Sequence, residues 1–128
     1  MLYLHFLAAD GEWALEGSRQ LTASRRLAKH PGFQPEVSVI IPAYNEEGAV
    51  EATVASVRSE LSNAGISHEI IVVNDGSTDD TLERAKASGA TVVNMPHNGG
   101  YGRSLKAGIA VSTAPLIAIL DADGTYPA

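Results

Sequence analysis

A chain of 128 residues with 45% hydrophobic and 19% charged side chains can build one packed domain, and is too short for two typical ones. That balance excludes a disordered chain, and the absence of cysteine excludes a disulfide framework and a thiolate metal site. The net charge of −6 lies wholly in residues 37–128, with five basic and eleven acidic side chains, while residues 1–36 balance four against four. Such a surface does not invite nucleic acid. It admits a phosphate ligand only where a cation or specific donors offset the repulsion.

Residues 1–36 read as an N-terminal extension or linker. Leu2, Phe6 and Leu7 with Trp13 and Leu15 fit a short amphipathic helix, and Leu21 to Lys29 fits another. Pro31, Gly32 and Pro35 then break any helix. Met1 to Ala9 is apolar but has no basic start, and Asp10 and Glu12 follow, so no secretory leader is expected. No apolar run approaches the roughly 18 residues that span a bilayer. These features point to a cytoplasmic protein, at most at the cytoplasmic face of a membrane.

From Val37 the pattern is regular. Val37 to Ile41 is a strand closed by Pro42. Asn45 is placed to cap a helix, with Glu46 and Glu47 in its first turn and Val50, Val54, Val57 and Leu61 at helical spacing. Glu69 to Val73 is the next buried strand. Asn74 to Asp80 turns the chain, with Ser77 and Asp80 spaced as a capping box, and Leu82 and Ala85 face inward on a second helix. Thr91 to Met95 is a third strand, Pro96 to Gly102 a glycine-rich loop, Ser104 to Val111 a third helix, and Leu116 to Leu120 a fourth strand. Strands alternating with helices predict an α/β fold with a mostly parallel four-stranded sheet flanked by helices. Ligands of such sheets bind beyond the carboxyl ends of the strands. The four polar loops, 42–46, 74–80, 96–103 and 121–125, all fall there.

The last strand ends in Asp121-Ala122-Asp123-Gly124. In extended backbone, positions i and i+2 point the same way, so both carboxylates can converge on one target. Two like charges brought together call for a cation, and oxygen donors suit Mg²⁺ or Mn²⁺. The plainer alternative is one Asp capping a turn and the other in water. Tyr44 can stack on a planar base or simply cover the sheet edge. Asp75 is free to accept from a base N–H or a ribose hydroxyl, while Gly76, Ser77 and Asp80 are explained by the turn alone. Gly99 and Gly100, with Arg103 and Lys106 after them, resemble a phosphate-cradling loop. The loop is no dinucleotide fingerprint, because Leu105 stands where a third glycine is required.

Taken in order, the segments Val37–Glu46, Ile70–Asp79, Asn98–Gly102 and Asp121–Pro127 resemble family 2 glycosyltransferases, which have the GT-A fold. The nearest likeness is to dolichyl- and undecaprenyl-phosphate sugar transferases. The resemblance implies that Pro42, Tyr44, Glu46 and Asp75 bind the nucleotide of a UDP- or GDP-sugar. It implies that Asp121 and Asp123, flanking Ala122, are the DxD pair that holds Mg²⁺ or Mn²⁺ on the diphosphate. Thr125 stands where some relatives offer Gln to the metal, and Asn74 where many have a first Asp. It further implies an inverting transfer to a polyprenyl phosphate. Family members continue well past the DxD motif, so the sequence reads as the donor-binding part of a longer enzyme. Two other classes compete: a non-catalytic nucleotide-binding remnant, and a receiver-like domain whose strand-end aspartates bind Mg²⁺.

Overall fold

A computed structural model describes residues 3–7, 13–17 and 34–122. Its elements are β1 (Tyr3–Leu7), β2 (Trp13–Gly17), β3 (Val37–Ala43), α1 (Val50–Asn63), β4 (His68–Asp75), α2 (Thr81–Ala87), β5 (Thr91–Met95), α3 (Tyr101–Val111) and β6 (Leu116–Ile119). They form one six-stranded sheet in the order β2-β1-β6-β3-β4-β5. The four strands β6, β3, β4 and β5 are mutually parallel. β1 pairs antiparallel with both β2 and β6.

β3 and β4 read as near-continuous apolar runs because helices cover the sheet on both faces. On one face Val37, Val39 and Ile41 meet Val50, Val54, Val57 and Leu61 of α1 and Ala85 of α2. The four α1 side chains recur at i, i+4, i+7 and i+11 and are fully buried. Each contributes roughly 1.5–3 kcal/mol by leaving water, so a charge at Val57 would undo this face. On the other face Ile40, Ile71, Val73, Ile117 and Ile119 pack against Leu105 and Ile109 of α3. α3 lies close to the sheet through Gly108, where an added Cβ would stand 2.5 Å from Ile40 Cγ2 and 3.1 Å from Val73 Cγ2. That approach carries the first turn of α3 to the carboxyl edge of the sheet.

Relative to chain order within the parallel part, the strands run third-second-first-fourth, β5-β4-β3-β6. This is the doubly wound order that reverses direction between the first and fourth strands. A receiver-like domain has its first strand next to the second and third, so the topology sets that alternative aside.

Three sequence expectations change. Where residues 2–15 admit a short helix, the structure has β1 and β2. Tyr, Phe and Trp suit strands as well as helices, and long-range pairing with β6 at His5–Ile119 to Leu7–Ile117 decides between them. The second short helix, over 21–29, falls outside the described residues. Asn45 does not cap α1, which starts at Val50 without a side-chain cap. Ser77 and Asp80 do not form a capping box, since α2 also begins without a side-chain cap bond. The Asn45 and Ser77 side chains are used between loops instead.

Candidate active site

The switch point between β3 and β6 opens into a cleft of about 270 Å³. Such crevices arise because the loops after the two strands leave in opposite directions. From β3 and its loop come Pro42, Tyr44 and Glu46; from the end of β4, Asp75; from the loop before α3 and its first turn, Gly100, Tyr101 and Ser104; from the end of β6, Asp121 and Ala122. The sequence spreads these groups over 80 positions, and the parallel register gathers them at one edge.

Two loops that frame the cleft are fastened to each other. Asn45 adopts φ 52°, a left-handed conformation that Asn tolerates better than most residues. Its backbone N–H donates to Ser77 Oγ at 3.0 Å, and its Oδ1 accepts from the Thr78 N–H at 2.8 Å. Next along the chain, the Glu46 N–H donates to Thr81 Oγ1 at 2.8 Å, and the Asp80 N–H donates to Glu47 Oε2 at 3.1 Å. Asp79 accepts from both the backbone N–H and the hydroxyl of Thr81. The hydroxyl bond holds the Asp79 carboxyl below the usual carboxylate range. The clasp fixes Tyr44 and Glu46 against the β4–α2 turn.

Asp75 is 5% exposed and organises the glycine-rich loop. Its Oδ1 accepts from the Gly99 N–H at 2.8 Å and its Oδ2 from the Gly100 N–H at 3.0 Å. Each carboxylate oxygen keeps a further lone pair for a ligand. Gly76, at φ +70°, lies against the backbone of His97 and Asn98, so a Cβ there would collide with both. The close approach that this glycine permits is therefore to the neighbouring loop. Asn74, one position earlier and on the opposite face of the strand, donates from Nδ2 to Asn94 Oδ1 at 2.8 Å and does not line the cleft.

Besides Ala43 and Asn98, two further groups that the sequence reading did not assign line the cleft, Tyr101 and Ser104. Tyr101, 55% exposed, faces Tyr44, 45% exposed, in the sense that both rings border the same opening. Burial, and secondarily the negative charge of Asp121, raises the Tyr101 phenol above its ordinary 10.0. Ser104 is the second group, buried at the base of α3. Tyr101 stood inside the glycine-rich motif and could have been found there; Ser104 carries no motif signal.

Of the residues singled out from sequence, Pro42, Tyr44, Glu46, Asp75, Gly100, Asp121 and Ala122 are brought together in the cleft. Gly99 stands behind it, bonded to Asp75. Arg103 and Lys106 are exposed on α3 and are not among the lining residues, and the Arg103 side chain lies over Gly99. Asp123 and Thr125 lie outside the described residues. Among the described residues, no three His, Cys, Asp or Glu side chains form a cluster able to hold a metal by themselves. The exposed Asp121 carboxylate at the end of β6 fits Mg²⁺ or Mn²⁺ in another way. Such ions commonly take one or two carboxylates and complete their shell with water and substrate phosphates.

A doubly wound sheet with polar groups gathered at this edge defines an α/β protein of the kind that binds its ligands beyond the carboxyl ends of the strands. The glycosyl transferase family 2 model matches residues 38–128, and the chain belongs to that family. The glucosyl-3-phosphoglycerate synthase of Mycobacterium tuberculosis is 36% identical over 98 residues, covering 71% of this chain and 30% of that protein. The undecaprenyl-phosphate 4-deoxy-4-formamido-L-arabinose transferase of Klebsiella pneumoniae is also 36% identical over 98 residues, covering 72% and 30%. The chain thus spans under a third of the length of either relative. A crystal structure of the M. tuberculosis synthase in complex with Mn²⁺, UDP and glucosyl-3-phosphoglycerate superposes with a TM-score of 0.62 at 32% identity, covering 84% of this chain and 38% of that one. The same synthase has also been crystallised with Mg²⁺ and UDP. The fold is the α/β fold of GT-A glycosyltransferases, over the part of it that the chain spans. Among the described residues no helix is long and apolar enough to cross a membrane.

Proposed function

We propose that residues 37–128 are the donor-binding part of a transferase that uses a nucleotide-diphosphate sugar, with residues 1–36 an extension of that domain. The observation that carries this reading is the convergence of Tyr44, Asp75 and Asp121 at the β3–β6 switch point. Tyr44 offers a half-exposed ring for a base to stack on. Asp75, held rigid by two backbone N–H groups, accepts a hydrogen bond from the base or ribose. Asp121, with Asp123 as the second carboxylate of the DxD pair and Thr125 beyond it, would hold Mg²⁺ or Mn²⁺. When bound, that ion neutralises the charge that builds on the departing nucleotide as the glycosidic bond breaks. Relatives named for UDP complexes favour UDP-sugars over GDP-sugars as the donor.

For the acceptor, the reading is a phosphorylated molecule. Undecaprenyl phosphate figures in the name of one relative and phosphoglycerate in that of another. A polyprenyl phosphate is the reading that the sequence motifs favour. Its phosphate, with a second pKa of about 6, is already a nucleophile at neutral pH and needs positioning more than a base. Attack from the face opposite the diphosphate inverts the sugar. A cytoplasmic location, at the membrane face where such a lipid is reached, goes with that acceptor.

The test is calorimetric titration of UDP and GDP into the chain, with Mn²⁺ or with EDTA. Binding that needs the metal and disappears in Asp121→Ala is the expected result. Equal binding with EDTA would overturn the metal role, and no binding by the folded chain would overturn the donor site. Transfer assays with polyprenyl phosphate and 3-phosphoglycerate then separate the two acceptors.

A further inference from the structure

Ser104 is 1% exposed, lines the cleft, and has a hydroxyl oxygen with no hydrogen-bond partner among the described residues. A serine on a helix ordinarily turns its hydroxyl back to the carbonyl four residues earlier. Here that carbonyl, of Gly100, accepts the Ser104 backbone N–H at 3.1 Å, and the hydroxyl takes no bond. Buried polar groups without partners are uncommon and destabilise the ligand-free fold. Alanine would fill this position against the sheet without that cost.

Gly100 joins this hydroxyl to the rest of the site. Its N–H donates to Asp75 Oδ2 and its carbonyl accepts from the Ser104 backbone N–H, so Gly100 links the residue that carries the carboxylate to the residue that carries the hydroxyl, and both line the cleft. The two groups have complementary chemistry. A carboxylate only accepts, whereas a hydroxyl can donate. Uracil and guanine each present a ring N–H beside a carbonyl oxygen, and such an edge needs one acceptor and one donor side by side. The Ser104 hydroxyl can turn between staggered positions of its side chain with no hydrogen bond to lose.

We infer that Ser104 is a nucleoside-contacting residue, whose hydroxyl donates to a carbonyl oxygen of the donor's base while Asp75 accepts the adjacent N–H. This rests on the nucleotide-sugar reading of the cleft. The observations do not favour the neighbouring cations for this task, since Arg103 and Lys106 are exposed and outside the lining.

The experiment compares the wild-type chain with Ser104→Ala by two measurements. Thermal melting without ligand should show Ser104→Ala at least as stable as the wild type, because an unpartnered hydroxyl has been removed. Titration with UDP or GDP in Mn²⁺ should show the variant binding the preferred nucleotide about tenfold more weakly, the worth of one hydrogen bond. Mn²⁺-pyrophosphate, which has no base, should bind both forms alike. Equal nucleotide affinity would overturn the assignment, as would a variant that melts lower, which would give the hydroxyl a structural partner. An equal loss for pyrophosphate would overturn the contact to the base. If neither nucleotide binds the wild type, the donor reading falls and this inference with it; if the wild type binds and the variant binds as well, only the inference falls.

Discussion

The two ends of the parallel sheet treat polar groups in opposite ways. At the amino end, Glu69 Oε2 accepts from the Ser38 hydroxyl, the Thr113 hydroxyl and the Thr113 N–H, while Ser38 Oγ accepts from the Ala114 N–H at 3.0 Å. Every group in that network finds its partner within the chain. At the carboxyl end, Asp121 is exposed, Tyr44 and Tyr101 are about half exposed, and the Ser104 hydroxyl is buried without a partner among the described residues. A closed network of this kind fixes strands to loops; an open set of donors and acceptors awaits something from outside. The contrast teaches which end to read for function without appeal to any motif.

Substitutions can break this contrast, and the largest effect is expected at Asp121. Asp121→Ala should weaken metal-dependent nucleotide binding by roughly a hundredfold, about 2.7 kcal/mol, with the circular dichroism spectrum and melting unchanged. Glu69→Ala should do the reverse. It strands three donors, so urea unfolding should show a loss of about 2 kcal/mol, while nucleotide affinity in the folded chain stays that of the wild type. A matching loss of affinity would mean that the two ends are coupled and the contrast is false.

Asn45 sharpens the comparison, because it belongs to the open end yet makes closed bonds. Its Oδ1 only accepts, from the Thr78 N–H and hydroxyl. Asn45→Gly suits the positive φ but deletes that acceptor, and should lose about 1 kcal/mol of stability together with several-fold in nucleotide affinity. Asn45→Asp retains an acceptor and the tolerance of this conformation, and should recover most of the affinity. Titration calorimetry of the two variants side by side decides whether the clasp positions the ligand loop or merely supports it.

The smallest effect is a titration. Tyr101 should ionise above 10.0, followed by ultraviolet absorbance at alkaline pH, and Asp121→Asn should lower its midpoint only in part, because burial is the larger cause. The sign for stability follows from linkage. The folded phenol holds its proton more tightly than the unfolded one, so its contribution is present below about pH 10 and is lost as pH rises through the folded value. Asp79, held low by Thr81, acts at the other extreme: its contribution is present above about pH 4 and is lost as pH falls through the folded value.

The parallel strands were legible because β3, β4 and β6 are apolar runs closed by turn residues, and β5 opens on the β-branched run Thr91, Val92 and Val93. The helices were legible from their spacing, as with Val50, Val54, Val57 and Leu61. The common edge followed from the alternation itself, so Tyr44, Asp75 and Asp121 could be grouped before any coordinates. Three kinds of feature were not legible. β1 depends on pairing with β6, more than 100 positions away, which no local pattern encodes, and β2 in turn pairs with β1. The roles of Asn45 and Ser77 were misread because cap and inter-loop bonds draw on the same residue types, and only tertiary placement chooses between them. Ser104 was missed since a lone serine on an amphipathic helix looks like any other until its hydroxyl is seen to lack a partner.

β1 has a consequence for how this domain can be handled. It covers the outer side of β6 through the register His5–Ile119 to Leu7–Ile117. Were the chain cut at the linker that the prolines mark, β6 would become a bare border with unpaired amides beside an apolar sequence, the arrangement that recruits strands from other molecules. A version starting at Val37 should therefore self-associate, and size-exclusion chromatography at increasing concentration would reveal it. The segment that carries the least chemistry is, on this view, what shields that border of β6.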